Sequence, residues 1–511
     1  MKNKFFRVSV FAFIFLSNTL AFQNCSKMSS AGSKGTDGSS FTPNATPGQT
    51  PGQTPGTSNS VEKDERLFLS NTTGYGFDPS AADNNYISKD FNETIRQAQQ
   101  AGLDGIRLNV AWGNFEQSTN VFEKDKLNKA LAYLESVGFR KNAVVYEARL
   151  SWRSSLCNND FRCNSAVPDD DKVYTYPGKE ENEYSFQIQC GGASCVQPSF
   201  ASKKMVEHQK NVLRAVAEAT VGRSVAYIAL GGGITEEYFM PITTVDNTRY
   251  PGDYGPAFKK LYRKTFGSDM PKVSFENMFS TEASKNSHKL MSFVLTNNFK
   301  ELKAGSKEGN PNVQFWVYPA DFMTEQGHAL QIQGDLVDLM AISDGVYHTD
   351  GGNVSQQQVD FYRKFSAQDA IAATYNEQKR TGLEFDFEDL CKTEILQDNS
   401  CRGGFSNSLF EETADNFFYR GGNIIHFAMR GTTDHIDQIN DSIQKIKRKW
   451  IVNKEKSINR TSLNNINISY QNLVFWKASF HDSWKSNGGL SSPINIKLNN
   501  DYPKLQNIQL D

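Results

Sequence analysis

Two acidic stretches carry the residue types that bond-breaking chemistry needs. In the first, 227–241 (YIALGGGITEEYFMP), an apolar run breaks into three glycines and then presents adjacent carboxylates, Glu236 and Glu237. Glycine allows positive φ and close backbone approach, and acids at this place suit the point where a buried strand gives way to a working loop. In the second, 381–388 (TGLEFDFE), Leu383, Phe385 and Phe387 alternate with Glu384, Asp386 and Glu388. That alternation gives a strand one apolar and one wholly acidic face. On an exposed edge such a face is ordinary. On a central strand both faces are covered, so the acids must be paired or functional, because an unpaired buried charge is costly. Arg107, also predicted to point inward, is a natural partner. Carboxyl groups from two strands divide labour: one gives a proton while the other attacks or activates water.

Positioning them requires a scaffold, and the chain supplies a repeating one. Apolar runs alternate with 3.6-period segments, which predicts strands at 66–70, 105–110, 141–146, 225–230, 313–317, 339–342, 383–387 and 423–427, with helices between them. Eight such units over roughly 390 residues predict an α/β fold, a (β/α)8 TIM barrel with loop insertions. A doubly wound open sheet would carry a glycine-rich phosphate turn after its first strand, and GYGFDPSAAD is not one.

In a barrel the chemistry lies where strands end. Those ends offer Arg107, Asn109 and Trp112 after strand two, and Tyr146, Glu147, Arg149 and Trp152 after strand three. Strand five offers Trp316 and Tyr318, strand six Asp344, Tyr347 and His348, and strand eight His426 and Arg430. Carboxylates rimmed by aromatics suit cleavage of a glycosidic bond, with aromatic faces against sugar C–H surfaces and polar groups on hydroxyls. The expected general acid is Glu237, with Glu236 as the close alternative. The expected partner is Glu388, last in its strand, ahead of Glu384 and Asp386. Arg107, Asn109, Trp112, Trp152, Trp316, Tyr318, Tyr347 and His348 are the expected substrate contacts.

The flanks speak to location. Residues 1–24 read as an export signal: Lys2, Lys4 and Arg7 precede a short apolar run. Residues 25–64 combine Cys25, the expected lipid-attachment cysteine, with a Ser/Gly/Thr/Pro linker that cannot order itself. The barrel is expected over 65–452 and a C-terminal extension packed on it over 453–511. The six remaining cysteines fall in close pairs, Cys157 with Cys163, Cys190 with Cys195 and Cys391 with Cys401, which predicts three local disulfides in an oxidising compartment. A formal net charge of −2 provides no global basic field for a nucleic-acid partner. The seven histidines are scattered and no CxxC is present, so no metal site or cofactor is expected. The expected partners are a carbohydrate and, through the lipid, a membrane.

The layout resembles the large superfamily of (β/α)8 glycoside hydrolases, which carries its acid/base after strand four and its nucleophile after strand seven. GIRLNVAW resembles that superfamily's strand-two arginine region, which implies that Arg107 orients the nucleophile. Tyr347 and His348 resemble its strand-six aromatic and histidine. DYGPAFKKLYRKTFG resembles part of the family 42 β-galactosidases. The Asn-Glu pair of that superfamily after strand four is absent. ALGGGITEEYFMP is closer to the β-amylase loop, whose acid and following proline correspond to Glu237 and Pro241. TGLEFDFE is also similar to the family 18 chitinase motif, with Glu388 as the acid and Asp386 as its assistant, while Thr381 and Glu384 replace two aspartates. The N-terminal segment resembles a bacterial lipoprotein signal, and Ser26 after the cysteine implies the outer membrane. A non-catalytic carbohydrate-binding barrel is the alternative from another functional class.

Overall fold

The computed structural model describes residues 65–71, 76–148, 150–151, 167–174, 188–190, 193–196, 198–231, 238, 242–245, 248–274, 277, 280–318, 339, 342–348, 380–385, 394–395, 401–402, 407–419, 421–428 and 435–455. Eight parallel strands close a ring in chain order: β1 (Leu67–Asn71), β2 (Gly105–Ala111), β3 (Asn142–Glu147), β4 (Val225–Gly231), β5 (Phe315–Val317), β6 (Gly345–His348), β7 (Arg380–Phe385) and β8 (Ile424–Ala428). β8 returns beside β1, with Leu67 opposite Ile424 and Leu69 opposite His426. This is the (β/α)8 barrel that the repeat predicts.

Among the described residues, the longer helices that follow strands are α1 (Phe91–Gln100), α2 (Lys124–Ser136), α3 (Lys203–Ala219), α4 (Pro256–Phe266), α5 (Glu282–Gly309), α6 (Asn407–Tyr419) and α7 (Ile436–Lys447). Their ends carry recognisable stops. Ser202 and Thr281 cap α3 and α5 by accepting from the backbone N–H groups of Met205 and Ser284. Pro256 opens α4 and Gly267 closes it at φ 70°. Helix faces such as Leu127, Leu131 and Leu134 of α2 bury against the outward-facing side chains of the strands.

At the base of the barrel one device recurs. Asp104, just before β2, accepts from Phe68 N–H of β1 at 2.9 Å and donates its own N–H to the Phe68 carbonyl. Asp344 treats Phe315 of β5 in the same way, and Asn423 treats Thr381 of β7. Asn142 accepts from Ile106 N–H. A short polar side chain before a strand thus satisfies the neighbouring strand's first donor, which water cannot reach.

One placement differs from the sequence reading. The apolar run at 339–342 is not strand six: Leu339 and Ile342 are helical, and β6 begins at Gly345. A short apolar run has no period with which to separate buried helix from strand. Asp344 consequently sits at the base and not at the mouth, bound to Lys303 at 2.6 Å and Lys307 at 2.8 Å. Burial would raise its carboxyl, but the two lysines and the Phe315 N–H outweigh that and hold it low. β7 is described from Arg380 to Phe385 and carries Glu384, while Asp386 and Glu388 lie outside the described residues.

The barrel interior is a small separate core. Tyr227 of β4 stacks on Trp316 of β5, with ring centroids 4.1 Å apart and planes 8° from parallel. Gly345 makes room for this slab, since a Cβ there would lie 2.4 Å from the Trp316 ring.

Candidate functional site

The inward positions of β2, β5, β6 and β7 converge on one carboxylate. Glu384 accepts from the Tyr347 hydroxyl at 2.6 Å and from the Tyr318 hydroxyl at 3.2 Å, both at Oε2. Arg107 Nη1 donates to the same two hydroxyls, at 2.6 Å and 3.3 Å, and lies 3.8 Å from Glu384 Oε2. Its guanidinium carbon sits 5.3 Å and 5.5 Å from the two ring centroids. Two phenols therefore bridge a buried ion pair, each accepting from the arginine and donating to the glutamate. All of these neighbours offer protons or positive charge, so the arrangement serves an ionised carboxylate. Burial, with Glu384 and the neighbouring phenols adding to it against Arg107, pushes the Tyr347 hydroxyl well above its usual range, so Tyr347 keeps its proton.

A second layer supports this group. Glu384 stands in register with His426 on β8. The His426 ring meets Tyr347 edge-on at 4.2 Å, and its Nε2 is 2.9 Å from the Tyr227 hydroxyl. Burial and the nearby Arg107 drive the His426 pKa well below its usual value, so the imidazole is neutral. Across the barrel, fully buried Glu147 ends β3 and receives Asn109 Nδ2 at 3.4 Å. In register it lies between Ala111 and Gly231.

Of the expected site residues, Arg107, Tyr318, Tyr347 and Glu384 come together and Asn109 joins Glu147. Trp316 is not a sugar platform: it is fully buried in the interior slab, with Nε1 donating to Gln314 at 2.9 Å. Trp112 lies in a single helical turn after β2 and is also buried, its Nε1 bound to Glu116, which accepts from His208 at 2.9 Å as well. An indole needs a partner for its N–H when buried, and here a carboxylate beneath the rim supplies it. Tyr146 points outward to Gln209 of α3. His348 ends β6, with its side chain outside the described residues. Glu236, Glu237, Asp386, Glu388, Trp152, Cys25, Cys157, Cys163, Cys391 and residues 456–511 also lie outside them. In the hairpin after β3, Cys190 stands opposite Ala193 and Cys195 opposite Ile188. Tyr227 escaped the sequence reading because it is embedded in the apolar run VAYIAL, where a tyrosine carries no polar signature.

One polar knot holds the loops around the mouth. Asp253, before α4, is fully buried and accepts from Ser199 Oγ at 2.5 Å, from Gly255 N–H at 2.8 Å and from Tyr174 N–H at 3.4 Å. Burial pushes its carboxyl up to about 6 despite these donors and Lys259. It thereby ties the insertion after β3 to the segment after β4.

Two solved structures are similar to this chain. The catalytic domain of β-amylase from Paenibacillus polymyxa superposes with a TM-score of 0.50 and 12% identity, over 78% of this chain and 100% of that one. A β-galactosidase from Bacillus circulans sp. alkalophilus does so with a TM-score of 0.50 and 11% identity, over 76% of this chain and 57% of its own length. The likeness is one of fold. No family model and no curated protein sequence matches the chain. The architecture is thus the TIM barrel that these glycoside hydrolases use, and the chemistry must be argued from the residues themselves.

Proposed function

We propose that this protein is a glycoside hydrolase whose strand-seven carboxylate is Glu384, working with an acid from the loop after β4, Glu237 or its neighbour Glu236. The observation that carries this reading is the Arg107–Tyr347–Glu384 arrangement, seconded by Tyr318. A carboxylate that attacks an anomeric carbon, or activates water for that attack, must stay ionised and hold its orientation. Two phenol donors and a guanidinium do both. Glu384 takes precedence over the expected Glu388 in this reading, because its contacts with Arg107, Tyr318 and Tyr347 support the role.

Of the enzyme readings, the family 18 chitinase-like one loses support. Its acidic motif belongs on strand four of that family, whereas residues 381–385 here lie on β7. A second reading, a non-catalytic carbohydrate-binding barrel, is favoured by the absence of an Asn-Glu pair after strand four. Both readings take a carbohydrate as partner. We further propose that Cys25 is lipidated and tethers the barrel to the outer membrane, and that the local cysteine pairs close as disulfides.

A panel of aryl glycosides and polysaccharides assayed with wild type, Glu384→Gln and Glu237→Gln decides between the two functions. Turnover by wild type that falls at least about 10³-fold in both variants, with sugar binding kept, is expected of the hydrolase. Sugar binding by all three proteins with no turnover by any would leave the binding barrel.

A further inference from the structure

Close to Glu384 a hydrogen bond crosses the barrel interior. The Tyr227 hydroxyl of β4 lies 2.9 Å from His426 Nε2 of β8, and these two strands face each other across the ring. Both side chains are fully buried. Burial holds the Tyr227 hydroxyl well above its usual range and His426 well below its own, so the bond joins two uncharged groups. Neither of them competes as an ion for Arg107 or Glu384.

The rings around this bond have little slack. Tyr227 stacks on Trp316, and all of them crowd Gly382, two residues before Glu384 on β7. A Cβ added there would lie 3.2 Å from the Trp316 ring and 3.3 Å from both His426 Nε2 and the Tyr347 ring. His426 in turn meets Tyr347 edge-on at 4.2 Å, and the Tyr318 ring lies 4.3 Å from Tyr347.

We propose that Tyr227 and His426 are positioning residues for Glu384. The Tyr227 hydroxyl sets the rotation of the imidazole, and the imidazole sets the Tyr347 ring. That ring delivers its hydroxyl between Arg107 and Glu384. Apolar side chains of the same shape could fill this volume at little cost in stability. A hydrogen bond adds a preferred direction, which dispersion contacts lack, and direction is what a bridging phenol needs. The effect on rate rests on the hydrolase reading, whereas the effect on Tyr347 does not.

Two variants of the full chain test this. Tyr227→Phe removes the hydroxyl and keeps the ring, and His426→Phe keeps a ring beside Tyr347 without the nitrogen. Tyr262→Phe on α4, which loses a hydroxyl bonded to the Ala283 carbonyl, controls for stability alone. NMR of protein isotopically labelled at tyrosine Cζ reads the Tyr347 phenol, whose signal is assigned by its loss in Tyr347→Phe. The expected result is a displaced Tyr347 signal in both barrel variants and an unmoved one in Tyr262→Phe. On whichever glycoside wild type cleaves, kcat should fall roughly 3- to 10-fold in either barrel variant with KM unchanged. It should fall no further in the double variant, because both substitutions remove the same bond. An unmoved Tyr347 signal in Tyr227→Phe would overturn the proposal, as would unchanged kcat or losses that multiply in the double variant. Absence of turnover by wild type would count against the hydrolase instead, and the NMR result alone would then decide the positioning role.

Discussion

Arg107 Nη1 lies 3.8 Å from Glu384 Oε2, and the Tyr347 hydroxyl stands between them, accepting at 2.6 Å from the one and donating at 2.6 Å to the other. The pair is almost wholly buried, so its attraction is little screened and its geometry is set by the phenols as much as by charge. Removing the Tyr347 hydroxyl leaves both ions in place with only the longer Tyr318 bridge between them.

Tyr347→Phe is therefore expected to lower kcat by roughly 10- to 100-fold, the equivalent of one charge-assisted hydrogen bond of ~1.5–3 kcal/mol. KM should change little, since the hydroxyl orients the carboxylate and does not grip substrate. Steady-state kinetics on whichever glycoside wild type cleaves provides the check, and unchanged kcat would remove Tyr347 from the proposed arrangement.

Asp253 makes the stability depend on pH in an unusual direction. Its folded pKa of about 6 lies above the ordinary carboxylate value of 3.8, so the folded state binds the proton more tightly than the unfolded state. Its contribution is complete below about pH 4 and is lost as pH rises through about 6, a change of ~3 kcal/mol for a shift of this size. Asp253→Asn keeps an acceptor for Gly255 and Tyr174 and should flatten that part of the curve. Urea midpoints at pH 4, 5, 6 and 7 for both proteins would reveal it.

His288 on α5 acts with the opposite sign. Burial, with Lys289 nearby, lowers its pKa from 6.5 to about 3. Its contribution is present above pH 6.5 and is lost as pH falls towards 3, because unfolding then takes up a proton. His288→Gln should make the protein less sensitive to acid in this window, even if it is less stable at pH 7. A variant with the same acid dependence as wild type would contradict the assignment.

Gly345→Ala tests the interior slab. The added methyl would meet the Trp316 ring at 2.4 Å, and Trp316 cannot retreat because Tyr227 stacks on its ring. A destabilisation of about 1–3 kcal/mol is expected from overpacking, with altered tryptophan fluorescence. A neutral substitution would mean that the slab is looser than its geometry.

Asp344→Ala strips one seam at the barrel's base. Phe315 N–H, Lys303 and Lys307 lose a shared acceptor, and a loss of roughly 2 kcal/mol is expected. Activity of the folded protein should persist, since the seam lies at the end of the barrel away from Glu384. A large loss of kcat without loss of stability would refute that separation.

By itself the sequence determined the barrel. The alternation of apolar runs with amphipathic segments is a local property, and eight repeats of it admit few closed architectures, so the fold class was legible. Arg107 was legible as a buried charge on an otherwise apolar strand, and its need for a partner pointed to the acidic face of strand seven. That Glu384 meets it is a matter of tertiary structure: pairing of β7 with β6 and β8 brings this acid to the phenols. Tertiary packing also turned two expected platforms into core: Trp316 found Tyr227, and Trp112 found Glu116. Aromatic residues gain stability by burial as readily as they bind sugars, and nothing local to either tryptophan says which neighbour will cover it. Asp344 likewise looked like a mouth residue until β6 began after it, because the boundary of a short strand is fixed by its partners and not by its own residues.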